Sequence, residues 1–206
     1  MAPQRKSFPR LFLARADPFR LAGERVFLRL PERADYEAWA SLRAGSRGFL
    51  VPWEPIWPPD ALSRANFRAR IARYTEDWRS DQAYNFFIFT HDEALVGGIG
   101  LSNVRRGVSE TASLGYWIGE PHARQGYMTA ALPLVLDFAF ERLRLHRVEA
   151  ACLPTNVPSR ALLLRAGFQE EGHARQYLCI EGKWQDHLLF AILQEDPRGG
   201  RPREQH

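Results

Sequence analysis

The sequence is poor in cysteine and lysine, and it has no hydrophobic run long enough to cross a membrane. Its two cysteines, Cys152 and Cys179, lack the spacing of a metal site or a disulfide framework. They are typical of free thiols in a reducing compartment. No apolar run approaches the roughly 18 residues that a transmembrane helix needs, and the histidines form no ligand cluster. We therefore expect a cytoplasmic protein without a metal.

Lysine is almost absent, so arginine carries the positive charge. Lys6 and Lys183 are the only lysines, and the formal net charge is +4. The rigid fork of arginine suits phosphate and carboxylate recognition, although a genomic codon preference would give the same bias. The charge therefore permits an acidic partner or an RNA surface without requiring either.

The length of 206 residues predicts one domain with a single substantial core. We expect residues 1–20 to form a basic N-terminal arm, residues 21–194 to form the folded domain, and residues 195–206 to form a polar C-terminal tail. The sequence shows no internal repeat and no low-complexity segment.

Hydrophobic periodicity predicts the element order β-αα-βββ-α-β-α-ββ. The expected strands are 23–30, 84–90, 95–101, 111–118, 148–153, 169–180 and 184–193, and the expected helices are 31–45, 60–79, 127–143 and 157–166. The prolines of 49–59 argue against regular structure there, and Pro133 predicts a distorted first turn in the third helix. A strand–helix–strand crossover argues for a mixed α/β (α+β) sheet that is parallel at its middle.

The loop before the third helix has an unusual composition. Between Gly119 and Met128 it contains no Ser, Thr, Asp or Asn, the residues that usually cap a helix start. Bare amides, the positive end of the helix dipole and Arg124 would together suit an anion. The loop matches neither a Walker motif nor a dinucleotide fingerprint. An ordinary strand-to-helix turn is the alternative.

The order of elements and several motifs resemble the GNAT N-acetyltransferase family over residues 23–193. Within that family the chain looks like the ribosomal-protein-alanine N-acetyltransferases of the RimJ type. The segments that carry the resemblance are Phe49–Pro55, Leu101–Gly107, Leu114–Tyr116, Asn156 with Ser159, Arg165–Phe168, Glu171–Gly172, Tyr177–Leu178 and Gly182–His187.

The resemblance implies a GNAT fold, with a mixed central sheet of about seven strands flanked by about four helices, and acetyl-CoA as co-substrate. In the family the loop here at Ala123–Met128 holds the pyrophosphate through backbone amides. Ala123 and Met128 depart from the usual residues at their positions, which leaves that backbone mechanism intact. The expected cofactor-binding residues are Ile118, Arg124, Gln125, Gly126, Tyr127, Met128, Thr129, Asn156 and Ser159.

Acetyl transfer to an amine needs a base for the amine and an acid for the departing thiolate. Glu54 is the candidate base, or a ligand for the acceptor's ammonium group. Tyr177 is the preferred acid because a phenol is more acidic than the hydroxyl of Ser159, the other candidate. The expected substrate-binding residues are Trp53, Glu54, Asn103 and Tyr116. Asp186 and His187 are adjacent on a strand and face opposite ways, so a structural role is expected for them.

The acceptor region is locally basic, because residues 41–75 contain only two acids, Glu54 and Asp60, against six arginines. That balance disfavours polycationic acceptors and favours a protein N-terminus, which the resemblance identifies as the N-terminal alanine of a small-subunit ribosomal protein. Two alternatives remain open. One is a small-molecule amine or antibiotic acetyltransferase of the same fold, and the other is a ribosome-associated or RNA-binding factor with weak catalysis. No membrane or DNA partner is expected.

Overall fold

Eight strands form one mixed sheet in the computed structural model, which describes residues 19–198. The strands are β1 (Arg20–Ala22), β2 (Val26–Arg29), β3 (Tyr84–Thr90), β4 (Leu95–Arg105), β5 (Thr111–Ile118), β6 (Arg147–Cys152), β7 (Gln169–Ile180) and β8 (Lys183–Leu193). Their spatial order is β1-β2-β3-β4-β5-β6-β8-β7. Neighbours are antiparallel except β5 and β6, which pair in parallel. The predicted mixed sheet with a parallel middle is confirmed.

Five α-helices connect these strands. They are α1 (Tyr36–Gly45), α2 (Arg47–Leu50), α3 (Arg64–Arg79), α4 (Tyr127–Asp137) and α5 (Val157–Ala166). The predicted start of the second long helix at residue 60 was too early, because the side chain of Ser63 caps α3 by accepting a hydrogen bond from the Asn66 amide. Gly167, with φ +103°, ends α5 in the left-handed conformation that is typical of a helix C-terminus.

Two local predictions were wrong. The proline-rich segment 49–59 is regular at its beginning, where the end of α2 runs into a 3-10 turn at Val51–Trp53. Pro52 fits there because the first turn of a helix needs no amide donor from it. The helix that contains Pro133 is α-helical from Tyr127 to Asp137, and its irregular part is a π-helical turn at Phe138–Arg142.

The sheet has a helical layer on each face, and β3 shows how one strand contributes to both. Phe86 and Ile88 pack in the larger core with α4 and α5, whereas Phe87 and Phe89 pack in a second core with α1 and α3. Alternate residues of a strand point to opposite faces, so this nearly continuous hydrophobic run fits a strand buried on both sides.

Residues 1–18 of the predicted arm and 199–206 of the predicted tail lie outside the described residues. Phe19, just before β1, packs its ring on Trp78 and Phe138 at centroid distances of 5.5 and 5.7 Å. Within residues 19–198, every helix is too short or too polar to cross a membrane.

Candidate active site

A cleft opens at the middle of the sheet because β5 and β6 pair only at their beginnings. The ladder joins Thr111–Ser113 to Arg147–Glu149 and then stops, although β5 continues to Ile118 and β6 to Cys152. The space between the separated strands is a cavity of about 470 Å³. Beyond Ser113, the edge of β5 that faces this space offers backbone donors and acceptors that β6 does not pair.

The start of α4 follows β5 and lies at the same end of that strand. Gly126 occupies the cap position with φ +80°, no side chain caps the helix, and the first backbone bond runs from the Ala130 amide to the Gly126 carbonyl. Within the described part of the chain, the amides of residues 124–129 have no hydrogen-bond acceptor. The loop therefore forms the uncapped, positive helix end that its composition predicted.

The side chains predicted for this loop take different positions. Arg124 is exposed and has φ +60°, Met128 is buried, and Thr129 is exposed. The Gln125 side-chain amide donates to the carbonyl of Pro121 at 2.6 Å, which folds the loop back on itself. Although their side chains differ in exposure, all of these residues lie at the start of α4.

Arg25, between β1 and β2, also reaches this helix start, which could not be inferred from its position in the chain. A Cβ atom added to Gly126 would lie 2.7 Å from the Arg25 Nη1 atom. The Arg25 guanidinium also lies 5.5 Å from the ring centroid of Tyr127. Glycine at 126 suits the positive φ, and a Cβ atom there would displace the flexible guanidinium of Arg25.

Asn156 and Ser159 meet at the start of α5, on the other side of the cleft. The Asn156 Oδ1 atom accepts a hydrogen bond from the Ser159 amide at 3.1 Å, so Asn156 caps this helix. The Ser159 Oγ lies 2.7 Å from the hydroxyl oxygen of Tyr116 on β5. Burial raises the pKa of Tyr116 to about 12. Tyr116 and Ser159 thereby link the two walls of the cleft.

Two side chains that were expected to be structural also line the cleft. Cys152 is a free thiol with 5% of its surface exposed, and burial raises its pKa. His187 is buried, and its Nδ1 lies 3.0 Å from the Gln185 carbonyl oxygen. Because a carbonyl only accepts, Nδ1 carries the proton in this hydrogen bond.

Tyr177 lies on the β7 side of the cleft, with 48% of its surface exposed. Its ring packs edge-on against His187 at a centroid distance of 5.8 Å. Trp53 and Asn103 line the same cleft, and Asn103 has φ +52°. The structure therefore places Tyr177, Ser159, Asn156, Trp53, Asn103 and Tyr116 around one cavity.

Glu54 lines a second cavity of about 420 Å³, on the face of the sheet that α1 and α3 cover. Its Oε2 atom accepts hydrogen bonds from Arg43 at 2.5 Å and from the Trp57 indole nitrogen at 2.7 Å. The Arg43 guanidinium lies 4.4 Å from the ring centroid of Trp57 and 4.9 Å from that of Trp117. The candidate base is thus anchored by a cation that stands 11 residues before it in the chain.

The two cavities adjoin at Tyr116, because Ser102, Gly115 and Tyr116 line both. Gly98 on β4 allows Trp117 to lie close to the sheet, since a Cβ atom there would meet the indole nitrogen of Trp117 at 2.4 Å. The glycine-rich part of β4 is therefore a site of close approach. Across residues 19–198, no group of three or more His, Cys, Asp or Glu side chains could hold a metal ion.

Comparison with known proteins agrees with this geometry. The sequence profile of the acetyltransferase (GNAT) domain matches residues 25–169. The chain is 38% identical over 177 residues to the probable N-acetyltransferase YjcK of Bacillus subtilis (strain 168), with 85% of this chain and 98% of that protein aligned. It is 36% identical over 185 residues to the ribosomal protein uS5-alanine N-acetyltransferase of Escherichia coli (strain K12), with 88% and 94% aligned.

A solved structure extends the likeness to three dimensions. RimJ of Mycobacterium smegmatis in complex with CoA-disulfide is similar with a TM-score of 0.78 at 36% identity, covering 82% of this chain and 81% of that one. Three findings lead to the same family: the matching profile, the separation of β5 from β6, and the uncapped start of α4. The chain belongs to the GNAT family of acetyltransferases, within which it resembles the RimJ-type enzymes.

Proposed function

We propose that this enzyme transfers the acetyl group of acetyl-CoA directly to the N-terminal amine of a protein, and that its acceptor is a small-subunit ribosomal protein that begins with alanine. One observation carries the proposal: the uncapped start of α4 and the cleft between β5 and β6 lie at the same end of β5. A ligand with a diphosphate at one end and a thioester at the other could occupy both. Such an acceptor would place the enzyme in the cytoplasm.

The helix start is suited to the diphosphate. Its backbone amides have no acceptor among the described residues, and the guanidinium of Arg25 approaches Gly126. Amides, the helix dipole and a nearby arginine all favour a bound anion. The similar protein from M. smegmatis was solved with CoA-disulfide, which supports a coenzyme A derivative as the ligand here.

The cleft is suited to the thioester. The unpaired edge of β5 beyond Ser113 has amide donors that can bind a carbonyl oxygen and stabilise the negative charge that develops on it. Asn156 and Ser159 line the other wall of the cleft, where they can contact the thiol end of the same ligand. We therefore assign Ile118 and residues 124–129 to the phosphate end, and Asn156 and Ser159 to the thiol end.

The leaving thiolate can be protonated within the cleft. The amine nitrogen bonds to the acetyl carbon, the carbon–sulfur bond breaks with its electrons on sulfur, and sulfur takes a proton from Tyr177. Ser159 is the second candidate donor. A pKa of about 12 keeps the Tyr116 phenol protonated at neutral pH, so Tyr116 can donate to Ser159 Oγ and leave the serine proton free to point at the sulfur.

The acceptor amine needs only a modest base. A protein N-terminus has a pKa of about 7.7–8.0, so a substantial fraction is neutral at cellular pH. We assign Glu54 to take the remaining proton, directly or through water, or to bind the ammonium form. Its Oε2 is occupied by Arg43 and Trp57, and its Oε1 has no partner among the described residues. Oε1 is therefore the oxygen available to the acceptor.

The charges of the Glu54 cavity favour a peptide over a polycation. Arg43 and Arg70 line it, and among residues 19–198 Glu54 is the only carboxylate that does. Since Arg43 is paired with Glu54, the positive charge of Arg70 is left over. A polyamine or an aminoglycoside would meet net positive charge at this wall. The similar protein of E. coli is named for acetylating the alanine of uS5, which supports an N-terminal alanine as the acceptor.

The proposal is tested by release of coenzyme A from acetyl-CoA in the presence of different acceptors. We expect turnover with a peptide that begins with alanine and none with the same peptide carrying a blocked N-terminus. Spermidine and an aminoglycoside serve as competing acceptors. Acetylation of those amines but not of the peptide would refute the proposal in favour of a small-molecule enzyme. Inactivity towards all acceptors would instead favour a ribosome-associated factor.

A further inference from the structure

Strand β7 contains a bulge next to the cleft. Ala174 pairs with His187 and Leu178 pairs with Gln185, so residues 175–177 of β7 stand opposite the single residue Asp186 of β8. Gln176, at the centre of the bulge, has φ +46°. A residue with a Cβ atom adopts that left-handed conformation only when its surroundings stabilise it.

Asp186 supplies that stabilisation. Its Oδ1 atom accepts a hydrogen bond from the backbone amide of Gln176 at 2.9 Å. Its Oδ2 atom lies 3.3 Å from His173 Nε2. The bulge removes Gln176 from the ladder, and the carboxylate replaces the lost acceptor with a charge-assisted hydrogen bond, which is stronger than one between neutral groups. The side chain of Asp186 therefore acts on the backbone that leads into Tyr177.

The bulge changes the direction of the next side chain. In a regular strand, adjacent residues such as Tyr177 and Leu178 would point to opposite faces. Here both line the same cleft, together with Ser159. The Tyr177 ring then rests on His187, at a centroid distance of 5.8 Å. Bulges beside active sites commonly redirect a side chain in this way.

We propose that Asp186 is a positioning residue, which holds the bulge through the Gln176 amide and so keeps the Tyr177 hydroxyl over the cleft where the acetyl group is transferred. The inference rests on the proposed role of Tyr177 as the acid. It assigns to Asp186 a function in turnover beyond the structural one expected for a strand residue.

The central test is a pair of substitutions that differ in the hydrogen bond. Asp186→Ala removes the acceptor, and we expect kcat to fall about tenfold while the KM for acetyl-CoA changes less than about twofold, because an interaction used only in turnover lowers kcat. Asp186→Asn keeps an oxygen for the Gln176 amide, and we expect nearly wild-type kcat. His173→Ala removes only the contact to Oδ2 and serves as the matched control, with unchanged kcat.

A double-mutant cycle separates positioning from general support of the fold. If Asp186 acts through the Tyr177 hydroxyl, Asp186→Ala should cause little further loss of kcat in a Tyr177→Phe background. An equal loss in both backgrounds would overturn the inference. If the Asp186→Ala variant does not fold, Gln176→Gly can be added, since glycine tolerates positive φ. The double variant should then fold and recover part of kcat.

The cycle also distinguishes the two proposals. If Tyr177→Phe slows turnover while Asp186→Ala does not, Tyr177 stands as the acid and the positioning role of Asp186 fails. If Tyr177→Phe leaves kcat unchanged, the proposed acid fails, and the role of Asp186 fails with it. Thermal unfolding of each variant, followed by circular dichroism, shows that the kinetic changes belong to folded protein.

Discussion

Replacing Arg43 with alanine should destabilise the protein far more than replacing a surface arginine. The Arg43 guanidinium contacts the rings of both Trp57 and Trp117 and donates to Glu54. Only 10% of its side chain and 22% of that of Glu54 are exposed. The substitution would leave Glu54 with one neutral donor, Trp57, and no cation.

The expected magnitude follows from these contacts. Removing one partner of a buried ion pair typically costs about 3–5 kcal/mol, because the other charge stays buried without compensation. Glu54 is partly exposed, so the lower end applies, and the lost cation–π contacts add about 0.5–2 kcal/mol. We therefore expect a loss of about 3.5–5 kcal/mol in the free energy of unfolding. For a domain of this size that loss lowers Tm by roughly 7–20 °C.

Urea denaturation followed by circular dichroism measures this difference. The matched control is Arg64→Ala, which breaks an ion pair with Glu37 whose side chains are 53% and 76% exposed, and such exposed pairs contribute about 0–1 kcal/mol. The double variant Arg43→Ala with Glu54→Ala should recover part of the loss, because it removes the uncompensated carboxylate. If Arg43→Ala costs no more than Arg64→Ala, the ion pair does not stabilise this wall and the reasoning is wrong.

Three further predictions concern the cofactor side. Gly126→Ala should raise the KM for acetyl-CoA about tenfold, because a Cβ atom would strain the positive φ and displace Arg25; an unchanged KM would contradict the assignment of this loop. The double variant Asn156→Ala with Ser159→Ala should also raise mainly the KM for acetyl-CoA, as measured by steady-state kinetics with varied acetyl-CoA and varied peptide. An effect confined to the KM for the peptide would contradict this assignment. At neutral pH, iodoacetamide should alkylate exposed Cys179 faster than Cys152, whose pKa is raised by burial. Bound coenzyme A should protect Cys152 further. Peptide mapping that finds Cys152 modified first would contradict the placement of this thiol in the buried cleft.

Features with a local cause could be predicted from the sequence. Asn156 and Gly167 mark the two ends of α5 because capping depends on the cap residue and its immediate neighbours. The turn between β7 and β8 has a local signal in Gly182, and both Glu181 and Gly182 have positive φ. The absence of capping residues before α4 is likewise a local signal, and it correctly indicated free amides there.

Features made by residues far apart in the chain could not be predicted. Arg25 meets Gly126 only because the sheet brings the connection between β1 and β2 beside the start of α4. Arg43 finds Glu54 through the packing of α1 against the aromatic segment that follows it. The bulge in β7 requires knowledge of which residue lies opposite, because Gln176 alone carries no sequence signal for positive φ. These contacts decide the geometry of the site, and periodicity does not report them.

The segment that carries the proposed base and the hairpin that carries the proposed acid are far apart in the chain but contact each other. The Glu181 amide, in the turn after β7, donates to the backbone carbonyl of Glu54 at 3.0 Å. At the same place, a Cβ atom on Gly182 would lie 2.8 Å from the Cδ1 atom of Ile56. The segment that carries the proposed base therefore rests on the hairpin that carries the proposed acid, Tyr177. Because a backbone hydrogen bond joins the Glu54 segment to the β7–β8 hairpin, the fold itself sets the separation between Glu54 and Tyr177.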